Sequence, residues 1–403
     1  MTERLHGSRI LIYSHDTFGL GHLRRCRAIA HALVDKYKGV TVLILSGSPI
    51  IGSFDFRARV DYVRIPGVIK LRDGRYTALK LHIDLSQTLS IRESIIRHTA
   101  ESFAPDIFIV DKEPLGLKGE VARTLELLRK RGVTTVLGLR DILDDEAHLK
   151  KEWAKKGALP ALESLYDEIW VYGLQDFYQP LSGMGVSDSV KKKMIYTGYL
   201  RREESAGPEP LHLPPVRPFV LVTAGGGKDG TLLVDLVLQT YEQYPDLPHA
   251  ALIVFGPFMN AAQRERFRKR AAALSQVSVI DFDSHLEALM KESAGVVAMG
   301  GYNTFCEILS FDKPSLLMPR TTPREEQLIR AQRADAFGLA KILEPDRASP
   351  PRLAALLRAL PDQPPPSSAG IPGLLDGLDH VCERVKQLDE ARGEPRQPRT
   401  AKP

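Results

Sequence analysis

Gly295-Val296-Val297-Ala298-Met299-Gly300-Gly301-Tyr302-Asn303-Thr304-Phe305-Cys306-Glu307 reads as a strand, a glycine turn and the start of a helix. The apolar run at its head has no polar interruption, which marks a strand covered on both faces, as in a parallel sheet. Gly300 and Gly301 leave room for a phosphate against the amides of Asn303 and Thr304. A helix N-terminus there offers unbonded N–H groups and the positive end of its dipole. Glu307 follows Asn303 by one helical turn on the same face, where a carboxylate can accept both hydroxyls of a ribose. Its plainer role would be to balance the helix dipole.

Units of the same kind extend in both directions. Downstream, Ser315–Met318 and Ala340–Leu343 read as strands, and upstream so do Val277–Ile280, Ala251–Phe255 and Phe219–Thr223. The strand at Phe219 runs into Ala224-Gly225-Gly226-Gly227-Lys228-Asp229-Gly230, a second glycine loop ahead of a helix near Thr231. Its amides suit a diphosphate and Lys228 adds a charge, although the GK[ST] ending of a Walker A loop is missing. The alternative is an ordinary strand–helix turn. After Ser315–Met318, Glu326 and Gln327 stand at a helix start, placed either to bond sugar hydroxyls or to form a solvated first turn.

The first half repeats the pattern with strands at Arg9–Ser14, Val40–Ser46, Val60–Ile65, Asp106–Val110, Val133–Leu139 and Glu168–Tyr172. A helix over Asp84–Ser102 stops before Pro105. Ser14-His15-Asp16-Thr17-Phe18-Gly19-Leu20-Gly21-His22 joins the first strand to a helix with the apolar stripe Leu23, Cys26, Ile29, Ala30, Leu33 and Val34. A histidine at a helix N-terminus tends to be neutral, the form a general base requires. His22 or His15 fits that role, with Asp16 orienting the ring as carboxylates do in triads. Otherwise Gly19 and Gly21 only shape the turn and His22 caps the helix.

Strands alternating with helices predict an α/β chain of two Rossmann-like, doubly wound domains facing a cleft. The expected divisions are a first domain at 1–202, a proline-rich linker at 203–218 and a second domain at 219–360. A proline-rich segment with one helix near Leu374–Leu388 follows at 361–391, then a polar tail at 392–403. The length, 403 residues, agrees with two domains. Hydrophobic residues make up 43% and charged residues 26%, an ordinary globular balance. Cys26, Cys306 and Cys382 are odd in number and far apart, which excludes a disulfide framework or CxxC metal site and fits a reducing cytoplasm. No apolar run reaches the roughly 18 residues that cross a bilayer. The net charge of +5 is too mild to imply nucleic acid, though it suits phosphorylated ligands or a peripheral place at an anionic membrane. Asp144-Asp145 reads as a helix N-terminal charge pair, and no DxD-like pair lies between suitable strands, so no metal and no cofactor are expected.

Three glycine loops in this order resemble glycosyltransferase family 28, best known from the peptidoglycan lipid-intermediate N-acetylglucosaminyltransferase. Gly19-Leu20-Gly21-His22 is similar to the family's N-terminal GxGGH-type loop, Tyr196-Thr197-Gly198-Tyr199-Leu200-Arg201 to its TGNPVR segment, and Gly225 to Gly230 to its diphosphate loop. Gly300 through Glu307 resembles the RSGxxTxxE donor motif, which implies phosphate binding at Thr304 and ribose binding at Glu307. Glu326-Gln327 resembles the donor-sugar QQ pair, and Phe282-Asp283 falls at the family's nucleobase pocket. The chain departs from the pattern at Met299, in place of the motif arginine, and at Asp111-Lys112-Glu113-Pro114, in place of a glycine-rich acceptor loop. The resemblance implies a GT-B, inverting, metal-independent transferase that uses a nucleotide-sugar, UDP-linked by analogy, with an open acceptor. A nucleotide-sugar hydrolase or epimerase, and a non-catalytic sugar-nucleotide-binding protein, are the alternatives.

Overall fold

The structure is a computed structural model that describes residues 3–5, 7–15, 21–70, 75–203, 218–283 and 286–393. Asp16 and Gly19, most of the proline-rich linker and the tail from 394 lie outside the described residues. Seven parallel strands form the first sheet: β1 (Arg9–Ser14), β2 (Thr41–Ser46), β3 (Val60–Arg64), β4 (Ile107–Asp111), β5 (Thr134–Arg140), β6 (Glu168–Tyr172) and β7 (Met194–Tyr196). Their order is β7-β6-β5-β4-β1-β2-β3. The second sheet has six: β8 (Phe219–Thr223), β9 (Ala250–Val254), β10 (Val277–Ile280), β11 (Gly295–Ala298), β12 (Ser315–Leu317) and β13 (Lys341–Ile342). They run in the order β10-β9-β8-β11-β12-β13, again all parallel.

The inner strands are runs of Val, Ile and Leu because helices cover both faces. Leu11 of β1 lies between Leu43 and Phe108, and Leu221 of β8 between Leu252 and Val296. The expected strands end within two residues of the observed ones. β7, read from sequence only as the close of the first half, is an edge strand too short to show a period.

In each sheet the chain leaves a central strand to one side and later returns on its other side. β1 separates β2 from β4, and β8 separates β9 from β11. At such a switch point the loops at the carboxyl ends part and leave a crevice. Helix α1, opening at Gly21 and His22, comes after β1, and the loops at Gly225 and Gly300 follow β8 and β11. Helices around the sheets include α1 (Gly21–Lys36), α2 (Leu85–Phe103), α3 (Glu146–Lys156), α4 (Leu286–Glu292), α5 (Tyr302–Ser310) and α6 (Glu326–Ala336). Asp84 caps α2 through Gln87 N (2.8 Å), and Asp145 caps α3 through His148 N (3.0 Å).

The two sheets share one seam. Phe177 and Tyr199 pack against Phe305, with ring centroids 6.0 and 5.3 Å away. Arg330 of α6 forms a fork onto Asp141, Nε to Oδ2 at 2.8 Å and Nη2 to Oδ1 at 2.6 Å, and donates to Gly300 O. Asp144 accepts the Asp145 amide (3.0 Å) at the start of α3 and also crosses the seam to accept Glu325 N (2.9 Å). A final helix, α7 (Gly377–Ala391), returns to the first sheet and packs on α1. Tyr37 donates to Cys382 O (3.1 Å), and Arg384 pairs with Glu168.

Candidate active site

Gly21 and His22 open α1 directly after the switch point of the first sheet. His22 Nδ1 bonds Asp111 Oδ2, and Arg25 grips the other carboxylate oxygen through Nε (2.8 Å) and Nη2 (2.6 Å). Asp111 ends β4, the strand beside β1, so the same switch point supplies both histidine and carboxylate. With Nδ1 donating to Asp111, the tautomer leaves the Nε2 lone pair available as a base. Burial takes the His22 imidazole down to about 4 against the pull of Asp111, so it is neutral at physiological pH. Burial acts to raise the Asp111 carboxyl, yet Arg25 and then His22 hold it well below the carboxylate range.

His15 lies edge-on to His22, ring centroids 5.6 Å apart. It is buried, its Nδ1 has no hydrogen-bond partner, and burial lowers its pKa well below the ordinary value. It does not line the cleft that His22 enters. The orienting carboxylate expected at Asp16 falls outside the described residues, and Asp111 has that position.

The opposite wall comes from the second sheet. Gly225, Gly226, Phe282, Asp283, Gly301, Asn303, Thr304, Glu326 and Gln327 line one cleft together with Gly21 and His22. Gly227 sits beneath: its φ is 88°, and a Cβ there would stand 2.4 Å from Phe255 O. Gly300 (φ 78°) makes the tight turn and gives its carbonyl to Arg330. Lys228 is exposed and does not line the cleft. Glu326 is engaged by Arg320 (2.6 Å), while Gln327 accepts Arg320 N (3.2 Å).

The walls touch at Asn303, which donates to Gly21 O (3.0 Å) and accepts from Arg202 (2.9 Å). Glu307 departs from the expectation of an open ribose acceptor. It is fully buried on α5, facing Arg24 of α1 at 2.7 Å, and does not line the cleft. Burial raises its carboxyl to about 7, with Arg24 opposing. Asp111, Arg25 and Arg140 are cleft or second-layer residues that sequence reasoning missed. The available signal was Asp111 itself, a carboxylate closing the otherwise apolar strand Ile107–Asp111 beside the switch point.

Residues 219–368 match the model of the glycosyltransferase family 28 C-terminal domain. Two curated relatives are UDP-N-acetylglucosamine--N-acetylmuramyl-(pentapeptide) pyrophosphoryl-undecaprenol N-acetylglucosamine transferases, from Thermotoga sp. (strain RQ2) and Thermotoga maritima. They are 23% and 22% identical over 140 residues, which is 34% of this chain and 38% of each relative. Among solved structures, the glycosyltransferase VinC in complex with dTDP has a TM-score of 0.62 at 19% identity, covering 96% of this chain and 100% of that one. MurG of Acinetobacter baumannii has a TM-score of 0.58 at 11% identity, covering 94% and 99%. The UDP-GlcNAc 2-epimerase of Neisseria meningitidis bound to UDP-GlcNAc has 0.57 at 13%, covering 94% and 100%. Two parallel sheets meeting at their switch points give this chain the GT-B fold of these structures, and its second half is similar to the family 28 C-terminal domain.

Proposed function

We propose that the chain moves a sugar from a nucleotide-sugar to an acceptor hydroxyl, with inversion and without a metal ion. The observation that carries this reading is a single cleft in which His22, oriented by Asp111, faces Gly225, Gly226, Thr304 and Gln327 of a family 28 C-terminal domain. His22 Nε2 takes the acceptor proton as the acceptor oxygen attacks the anomeric carbon. The nucleoside diphosphate leaves from the opposite face, so the configuration inverts. Amides of the 224–227 loop and of the α5 N-terminus stabilise charge growing on the diphosphate, a task otherwise given to a cation. Phe282 and Asp283 are assigned to the nucleobase, and Glu326 and Gln327 to the donor sugar. Glu307 reaches a ribose only where Arg24 gives way.

A UDP-linked hexose or N-acetylhexosamine is the favoured donor, supported by the donor named for the Thermotoga relatives. Their undecaprenol-linked acceptor supports a lipid-linked one here, taken up by a cytoplasmic protein that visits the membrane surface. Among the described residues no helix is long and apolar enough to cross a membrane. The test is a mass-spectrometric donor screen with and without a pool of cell-lysate acceptors, repeated in EDTA. A glycoside formed only with acceptor, and unchanged by EDTA, is expected. Free sugar or an isomerised donor without acceptor would instead point to a hydrolase or to an epimerase, the activity named for the Neisseria structure. Binding without turnover would leave a sugar-nucleotide-binding protein.

A further inference from the structure

Among the described residues the cleft is lined by Arg24, Arg25 and Arg140, all from the first-sheet half. The second-sheet wall brings the glycine-loop amides and the helix start at Tyr302 but no lysine or arginine, since Lys228 lies outside the cleft. Arg24 holds Glu287 (2.5 Å) and Glu307 (2.7 Å), and Arg25 holds Asp111. Arg140 differs. Its enclosed Nε has no hydrogen-bond partner, and Glu326 on the facing wall is bonded to Arg320 (2.6 Å) instead.

Strand register fixes where Arg140 stands. Asp111, which orients His22, lies opposite Gly138 of β5. Arg140 is two residues further on, so it shares the face of Asp111 and reaches about 7 Å beyond it toward the carboxyl end of the sheet. The next residue, Asp141, is gripped by Arg330, whose Nη1 donates to Gly300 O (2.9 Å). One guanidinium thus joins the backbone beside Arg140 to the glycine turn of the second sheet. Arg140 lines the cleft with Gly301 and Thr304 of that turn. Amides there and in the 224–227 loop offer dipoles, whereas a diphosphate carries full charges and gains another as it departs. An enclosed guanidinium without a carboxylate is unfavourable until an anion reaches it.

We infer that Arg140 binds the diphosphate of the nucleotide-sugar from across the seam and stabilises the charge that collects there as the sugar leaves. The inference deepens the transferase reading and rests on it for the leaving step. As the acceptor oxygen bonds to the anomeric carbon, the bond from that carbon to the β-phosphate oxygen breaks, and its electron pair stays on the phosphate. His22 Nε2 receives the acceptor proton. Arg140 keeps its own protons and meets the new charge. Its planar fork takes two phosphate oxygens at once, which a lysine in its place could not. One half of the molecule therefore supplies the amides and the other the cation.

Calorimetry on the full chain tests this with UDP against UMP and dTDP against dTMP, with no acceptor needed. Arg140→Met should weaken the diphosphates by about tenfold to a hundredfold and leave the monophosphates within about twofold. Turnover on an acceptor found by the donor screen should fall by about 10²–10³. Arg140→Lys should restore part of the diphosphate preference, and millimolar guanidinium should restore part of the turnover of Arg140→Ala. A purely structural role would give neither. Circular dichroism confirms folding, and Arg140→Gln repeats the test should Arg140→Met unfold. The inference is overturned if UDP and UMP weaken alike, or if diphosphate binding and turnover keep their wild-type values. The two readings fail separately. A diphosphate preference lost in Arg140→Met, in a chain that forms no glycoside, keeps the arginine site and removes the transferase. Glycoside formed at the wild-type rate by Arg140→Met does the reverse.

Discussion

His22 and His15 lie side by side, but only His22 has a carboxylate on one ring nitrogen and the cleft before it. Replacing His22 by Ala should lower kcat by about 10²–10⁴, the usual contribution of a positioned base. Donor affinity should stay nearly intact, because the base touches the acceptor. His15→Ala should cost less, through looser packing of the His22 ring. Loss of turnover in His15→Ala with retention in His22→Ala would exchange the two roles. The pH profile follows from the lowered imidazole: the neutral form is the base, and protonation removes it. kcat/KM should therefore be level from neutral pH downward and fall only as pH approaches the His22 value of about 4. An acidic limb at the ordinary histidine value would mean that another group, or a solvated His22, is titrating. His22 was legible because a glycine turn and a helix start surround it within a few residues. Asp111 was not, since it lies 89 residues away and only strand order makes it a neighbour.

Among the elements, α7 follows the second sheet in sequence but belongs structurally to the first. Val381 and Val385 are fully buried there against α1. Ser8 and Asp389 bond, and Arg392 reaches Asp106 at 2.6 Å. Val385→Ala removes two buried methyl groups and leaves a small void, a loss of about 2 kcal/mol. Urea denaturation followed by tryptophan fluorescence should report it, because both tryptophans, Trp153 and Trp170, are in the first-sheet half. Trp170 donates to Glu168 (2.7 Å), the residue that Arg384 of α7 engages. An unaltered midpoint would contradict this packing. The helix itself was readable from its apolar spacing. Its partners on α1, β4 and β6 are matters of three-dimensional fit.

For the whole molecule, the seam is a packed core with charges inside it. Asp141 is the sole hydrogen-bonded carboxylate of buried Arg330 among the described residues, and it also accepts from Tyr199 (2.9 Å). Asp141→Ala leaves Arg330 buried without its partner, a penalty of about 3–5 kcal/mol. Chemical denaturation should show that loss, and small-angle scattering should show a larger radius of gyration as the two halves part. Asp141→Asn, which keeps one acceptor for the fork, should lose less. Wild-type stability and dimensions in Asp141→Ala would mean that the aromatic cluster of Phe177, Tyr199 and Phe305 holds the seam unaided.

The sequence by itself determined the sheets, their parallel sense and the places where glycine loops meet helix starts. These are written locally: apolar runs demand cover on both faces, and a glycine between strand and helix permits the turn. Hence β8, β10 and the strand before His22 were found with their observed ends. Only the tertiary structure decided what each polar residue at those turns touches. It gave His22 its carboxylate from β4, turned Glu307 away from the cleft toward Arg24, and left Arg140 Nε without a hydrogen-bond partner. Coulombic and hydrogen-bond partners are chosen by distance in space, and burial sets how strongly each charge is felt. Neither quantity has a signature within a few residues of chain.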